Sequence, residues 1–227
     1  MKLRVIIPVY NEASTLADLL GRVREVPIDK EILVVDDGSD SATKHLLQEA
    51  VATGDVQLIT HPGNQGKGAA IRTALERVTG DAVIIQDADL EYFPADYVKL
   101  LSVYQENNAR AVYGVRDLSH RSRLMRWGNR FMTLATNLLY GSKLHDMETC
   151  YKLIDRSLMQ SLQLESRGFE IEAEITAKLL NSGTVIHEAP IQYDHREEGK
   201  KLTLWDGVPT LKALWKYRGS RNSSPRH

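Results

Sequence analysis

The chain has 227 residues, of which 42% are hydrophobic and 26% charged, with a formal net charge of −1 and one cysteine, Cys150. These values fit one large α/β domain with an ample core. They exclude an intrachain disulfide framework and a cysteine-based zinc site, and they give no electrostatic case for a nucleic-acid partner.

The first half alternates strand and helix patterns. "LRVIIPV" (residues 3–9) is a short apolar run, followed by "ASTLADLLGRVREV" with Leu16, Leu19, Leu20 and Val23 at helical spacing. "EILVVDD", "VQLIT", "DAVIIQ" and "RAVYGVR" read as further strands. "ATKHLLQEAVA", "KGAAIRTALERV" and "ADYVKLLSVYQEN" read as the helices between them. Strands that are apolar throughout and joined by helices predict an α/β fold: a single Rossmann-like, mostly parallel sheet flanked by helices. Ligands of such sheets bind outside the carboxyl ends of the strands.

The polar residues concentrate at those ends. Tyr10, Asn11 and Glu12 follow the first strand, and Asp36, Asp37, Gly38 and Ser39 the second. "HPGNQGKG" follows the third, and Asp87, Asp89 and Glu91 follow the fourth. Three carboxylates this close repel one another, the more so at a low-dielectric rim. A divalent cation relieves that repulsion, and Mg²⁺ or Mn²⁺ suits one or two carboxylates completed by water and substrate phosphates. The competing reading is a solvated acidic turn capping the helix at Ala95. "GNQGKGAA" is not a P-loop, because Gly68 stands where Ser or Thr is required. Its glycines still offer backbone N–H groups to an anion, with Lys67 in support of a phosphate or nucleobase. The alternative is a plain turn and helix start.

"PVYNE", "VVDDGSD", "GNQGKGAA" and "DADLE", in this order and spacing, resemble the family 2 glycosyltransferases with the GT-A fold. Within them the resemblance is to the dolichyl/polyprenyl-phosphate sugar transferases, over roughly residues 3–202. It implies a nucleotide-sugar donor of the GDP-mannose or UDP-glucose type, Mg²⁺ or Mn²⁺, inversion at the anomeric carbon, and a polyprenyl or dolichyl phosphate acceptor at a membrane surface. By position, Pro8, Tyr10, Glu12, Val35 and Asp37 line the nucleoside site, and Asp87, Ala88 and Asp89 face the nucleotide. Asp89 and Glu91 are the implied metal ligands. The group commonly carries glutamine where this chain has Glu91, so the site gains a negative charge.

The middle segment holds Leu124, Trp127, Phe131, Leu134, Ala135 and Leu138 at helical spacing, with Arg121, Arg123, Arg126 and Arg130 along its first half. This is either a basic amphipathic helix lying in a membrane interface or a core helix with a solvated basic face. The resemblance favours the first and matches Arg116 and Arg130 to arginines near the donor and acceptor phosphates. It also matches Asp146 and Thr149 in "DMETCYK" to the acceptor side, and Arg196 and Lys201 in "YDHREEGKKL" to a loop closing over the diphosphate. Lys200 is the other candidate there. Cys150 is expected to be packed rather than reactive. Glu170, Glu172 and Glu174 alternate in "GFEIEAEI" and cannot share one helix face, so at most one or two reach the site.

A last amphipathic helix is expected near residues 204–217, with Leu204, Val208, Leu211 and Trp215 on one stripe, inside a domain spanning 1–217. The polar tail 218–227 is expected to be disordered. No run approaches the 18 apolar residues of a membrane span, and the chain stops where some relatives add such spans, so firm membrane residence is not expected. The compartment expected is the cytoplasm, with peripheral attachment to its face of a membrane left open. Two other classes compete: a soluble glycosyltransferase acting on a hydroxyl, and a non-catalytic nucleotide-sugar-binding subunit.

Overall fold

The structure, a computed structural model, describes residues 1–194 and 207–219. Seven strands form one sheet: β1 Leu3–Val9, β2 Lys30–Asp36, β3 Val56–Thr60, β4 Ala82–Ile85, β5 Ala111–Arg116, β6 Lys152–Asp155 and β7 Ile186–Ile191. Their spatial order is β3-β2-β1-β4-β6-β5-β7. Only β6 runs against the rest, pairing antiparallel with both β4 and β5. The helices are α1 Leu16–Glu25, α2 Ser41–Ala52, α3 Lys67–Leu75, α4 Tyr97–Glu106, α5 Arg123–Tyr140, α6 Arg156–Ser161, α7 Ile171–Asn181 and α8 Gly207–Tyr217.

The apolar runs of β1, β2 and β4 are buried because helices cover both faces of the sheet. Val5, Ile6, Val34, Val35, Val83 and Ile84 are all fully buried. β1 lies between β2 and β4, so the chain leaves β1 on one side and returns on the other. That makes the carboxyl end of β1 a topological switch point, where such sheets open a crevice. Pro8 sits inside this central strand rather than on an edge. The β1–β4 pairing ends at Ile6↔Ile85, and the Gln86 N–H takes the Ile6 carbonyl. Backbone groups two residues on point to the same side, so the missing Pro8 donor falls where β4 has already left the sheet.

Two strands were not expected. β6 opens with Lys152, a fully buried lysine, and β7 carries His187, Glu188 and Pro190. β7 is the sheet's last strand and pairs only with β5, the position in which a strand tolerates proline. The α3 helix is shorter than its pattern, ending at Leu75 rather than at Val78.

Candidate active site

The loops after β1 and β2 are stapled to each other. Asn11 takes a positive φ of 57°, its N–H donates to Ser39 Oγ at 3.1 Å, and its Oδ1 accepts from the Asp40 N–H at 2.8 Å. Tyr10 is thereby presented at the rim, exposed, while Val35 is buried within β2. Glu12 accepts a hydrogen bond from the Thr15 hydroxyl at 3.0 Å.

The glycine loop differs from its expected use. The Gln65 and Gly66 N–H groups donate to the two Asp37 oxygens at 2.9 and 2.8 Å, so these donors are taken by protein rather than offered to an anion. Asp37 also meets His61 Nδ1 at 2.7 Å, and His61 Nε2 lies 3.0 Å from the Thr73 hydroxyl. Asp37 is thus buried as the anchor of the loop. Gly38, at φ 77°, leaves no room for a side chain: a Cβ there would come within 2.5 Å of Gly63. Gly66, at φ 100°, lies against the Arg167 carbonyl in the same way.

Lys67 points into a buried charge chain. Its Nζ lies 2.7 Å from Asp87 and 3.0 Å from Glu172, and Glu172 in turn lies 2.6 Å from Lys152. Burial alone would lower the Lys67 ammonium, but Asp87 and Glu172 outweigh it and hold the group well above its usual range. Of the three alternating glutamates only Glu172 enters this network. Glu174 accepts from the Glu165 and Ser166 N–H groups and pairs with Lys178, and Glu170 accepts from the Gly168 N–H.

The acidic turn is strained. Leu90 has φ 66°, a conformation that costs a branched residue about 1–2 kcal/mol. It brings the Glu91 N–H to Asp89 Oδ1 at 3.1 Å, so the turn is folded back rather than extended. Burial, then the charges of Asp87 and Glu91, push the Asp89 carboxyl up to about 7. Ala88 is buried beneath the turn. Among the described residues no group of three or more His, Cys, Asp and Glu side chains forms a ready-made metal cage. The donors present fit a hard cation that takes its other ligands from phosphate and water. Asp87 is matched by Lys67, while at Asp89 burial and the charges of Asp87 and Glu91 outweigh the Glu91 N–H and Lys67.

On the other flank, Arg116 at the end of β5 makes a two-pronged pair with Asp146, Nε to Oδ2 at 2.7 Å and Nη2 to Oδ1 at 2.9 Å, and also reaches Asn129 of α5 at 2.9 Å. Burial would raise the Asp146 carboxyl, but Arg116 prevails and lowers it, which makes Asp146 a poor proton acceptor. Thr149 is fully buried, and its hydroxyl has no hydrogen-bond partner among the described residues. Burial pushes the neighbouring Glu148 carboxyl up. Cys150 is buried with its thiol pushed up by burial, as a packed residue should be.

α5 starts at an N-cap Ser122 and ends at Gly141 in a left-handed turn. Its buried face is Met132, Thr133 and Thr136. The apolar stripe is on the opposite side: Leu124, Trp127, Phe131, Leu134 and Leu138 are all exposed, Trp127 by 73% and Leu138 by 78%. Arg123, Arg126 and Arg130 are exposed beside it. The core-helix alternative is therefore overturned. α8 packs through Ala213, Leu214 and Tyr217 and leaves Trp215 exposed, so Trp215 does not share a packing stripe with Leu211. No helix among the described residues is long and apolar enough to cross a membrane. Arg196, Lys200, Lys201, Leu204 and Trp205 lie outside the described residues.

Sequence reasoning left Glu172 undistinguished from Glu170 and Glu174, and it missed Glu148 and Tyr193. The last donates its hydroxyl to Glu91 Oε2 at 2.6 Å. Burial and this carboxylate push the Tyr193 phenol up, so it stays a donor. The alternating glutamates were the one available signal for Glu172; nothing in the local pattern marks Tyr193.

Comparison with known proteins places the family and the fold. Glycosyltransferase AglJ of Haloferax volcanii is 30% identical over 205 residues, covering 88% of this chain and 65% of that protein. Undecaprenyl-phosphate 4-deoxy-4-formamido-L-arabinose transferase of Pseudomonas paraeruginosa is 32% identical over 93% of this chain, which spans 62% of that protein. Polyprenol monophosphomannose synthase of Mycolicibacterium smegmatis is 30% identical, covering 93% of this chain and 84% of that protein. Glucosyl-3-phosphoglycerate synthase of Mycobacterium tuberculosis superposes with a TM-score of 0.74 at 19% identity, over 96% of this chain and 81% of that one. The same enzyme, solved with Mn²⁺, UDP-glucose and phosphoglyceric acid, gives a TM-score of 0.73. The fold is thus of the GT-A type. Residues 4–163 match the family described as glycosyl transferase family 2, and the chain belongs to that family.

Proposed function

We propose that the chain transfers a hexose from a nucleotide sugar, of the GDP-mannose or UDP-glucose type, to a polyprenyl phosphate at a membrane surface, with inversion. The observation that carries the acceptor reading is α5: an exposed apolar stripe edged by Arg123, Arg126 and Arg130, tied to the site through the Asn129–Arg116–Asp146 contacts. Such a helix suits an interface where aromatics enter lipid and arginines meet phosphate. The names of the relatives from Pseudomonas and Mycolicibacterium support the same acceptor class.

The nucleoside would lie against Pro8, Tyr10, Glu12, Val35, Asp37 and Ala88. Asp89 and Glu91 would hold Mg²⁺ or Mn²⁺, which would neutralise the charge that develops on the departing nucleoside diphosphate. Lys67 balances Asp87, which would leave Asp89 and Glu91 as the carboxylates that face the cation. A phosphate nucleophile is already anionic near neutral pH and requires no general base. That fits an Asp146 whose proton affinity Arg116 has lowered. Arg116 and Arg130 would hold the acceptor phosphate, beside Thr149. Arg196 and Lys201 would close on the diphosphate from the segment outside the described residues.

A second reading, transfer to a carbohydrate or small-molecule hydroxyl, requires a base. Glu148 is the residue that favours it, a carboxyl beside Asp146 that burial raises above its ordinary value. A screen of GDP- and UDP-sugars with Mn²⁺ or Mg²⁺, against a short polyprenyl phosphate and the matching polyprenol, separates the two. The proposal expects product only with the phosphate, undiminished by Glu148→Gln. Transfer to the free alcohol, abolished by Glu148→Gln, would replace it with the second reading.

A further inference from the structure

Tyr193 follows β7 and is stitched to the acidic turn, 102 residues earlier in the chain. Its backbone pairs with Tyr92 in an isolated antiparallel bridge, and the Asp194 N–H donates to the Glu91 carbonyl at 2.9 Å. Its ring meets Tyr92 edge-on, with centroids 5.2 Å apart. The guanidiniums of Arg116 and Arg121 lie 5.2 and 5.7 Å from its centroid, and Arg121 Nη2 reaches the hydroxyl at 3.4 Å. The ring is therefore fixed on several sides. From that fixed position the hydroxyl donates to Glu91 Oε2 at 2.6 Å, within the range of a charge-assisted O–H···O bond.

The geometry points to Tyr193 as a positioning residue for Glu91: it locks one carboxylate oxygen so that the side chain meets a divalent cation in a set rotamer, and it joins the cation site to the arginines of the acceptor flank. This rests on Glu91 being a cation ligand, as proposed above. Two forces would otherwise move Glu91. Its stem has rotamer freedom that would be lost on ligation, and the carboxylates of Asp87 and Asp89 repel it. The phenol meets both in the folded protein, before any cation arrives. Partners of this kind are worth about 10–100-fold in metal affinity. The strained φ of Leu90 belongs to the same device: backbone and side chain of Glu91 are each held, one by the turn and Asp194, the other by Tyr193.

The test is Mn²⁺ binding, read from the electron paramagnetic resonance signal of free ion, with GDP or UDP at saturation and no sugar present. Tyr193→Phe removes one oxygen and keeps the ring, and a melting curve alongside checks that the fold is retained. We expect it to weaken Mn²⁺ binding by about 10-fold, and to cost nothing further in a Glu91→Ala background, where Asp89 and the diphosphate still hold the ion. A Tyr193→Phe protein that binds Mn²⁺ as tightly as the wild type overturns the inference and leaves the metal reading standing. So does a loss of the same factor with and without Glu91. A wild-type protein that binds no Mn²⁺ beside the diphosphate overturns both.

Discussion

The two flanks of the site manage their surfaces in opposite ways. On the donor flank nearly every charged group has a partner inside the protein. Lys67, Asp87, Glu172 and Lys152 form an alternating chain, and Asp37 is enclosed by His61 and two backbone N–H groups. On the acceptor flank, α5 turns five large apolar side chains outward. Compensated buried charge makes a rigid, preorganised frame for a small polar donor. Uncovered apolar area, edged with arginines, suits a partner that brings both hydrocarbon and phosphate. The difference teaches that the buried charges are completed by the fold, whereas α5 keeps an apolar surface that the described residues leave exposed.

If that contrast is right, damage on the donor flank should be severe and damage on the acceptor flank selective. Asp89→Ala removes a cation ligand and should lower transfer by about 10²–10³-fold, the loss typical of removing one preorganised stabilising group; steady-state rates at saturating Mn²⁺ measure it. Glu172→Gln leaves Lys152 buried beside a neutral amide. Breaking a buried pair of this kind costs about 3–5 kcal/mol, which denaturant unfolding will read as a lowered midpoint. On the other flank, Trp127→Glu combined with Phe131→Glu should abolish flotation with anionic liposomes while leaving turnover of a short, water-soluble polyprenyl phosphate within about twofold. Equal loss of both activities would collapse the distinction between the flanks.

The smallest effect concerns pH. In the metal-free protein the Asp89 carboxyl is raised from its ordinary value of 3.8 to about 7. A carboxyl whose proton is held more tightly in the folded state contributes stability at low pH. That contribution is lost as pH rises from about 4 through 7. Asp89→Asn should therefore raise the melting temperature at pH 8 without metal, by about 2–4 °C for each kcal/mol recovered. The wild type should regain the same stability on adding Mn²⁺ with nucleotide.

Much of this was legible in the sequence because the physics is local. The runs of β1, β2 and β4 are apolar on both faces, and only a covered parallel sheet accommodates them. The carboxylates at Asp87, Asp89 and Glu91 advertise a repulsion of the kind a cation would relieve. What escaped is non-local. β6 begins with a buried lysine whose charge is met by Glu172, 2.6 Å away, and no window around Lys152 contains that glutamate. Leu90 at positive φ folds the acidic turn back, a feature that residue spacing does not show. The glycine loop looked like an anion nest because its donors are visible in sequence. Asp37, which takes two of them, lies 28 and 29 residues away. The stripe of α5 was visible, but its direction was not: periodicity finds an apolar face and leaves open whether protein or lipid covers it.

The account turns on a cation held by Asp89 and Glu91 against the donor's diphosphate. A crystal structure of the protein soaked with Mn²⁺ and a nucleoside diphosphate tests this directly through the anomalous signal of manganese. The prediction is one manganese peak about 2.0–2.2 Å from Asp89 oxygen and from the phosphates, the range of a small divalent cation with oxygen ligands, with Glu91 completing the set and the base at Tyr10. A nucleotide bound away from the carboxyl ends of β1 and β4, or a manganese peak that Asp89 does not touch, would contradict it.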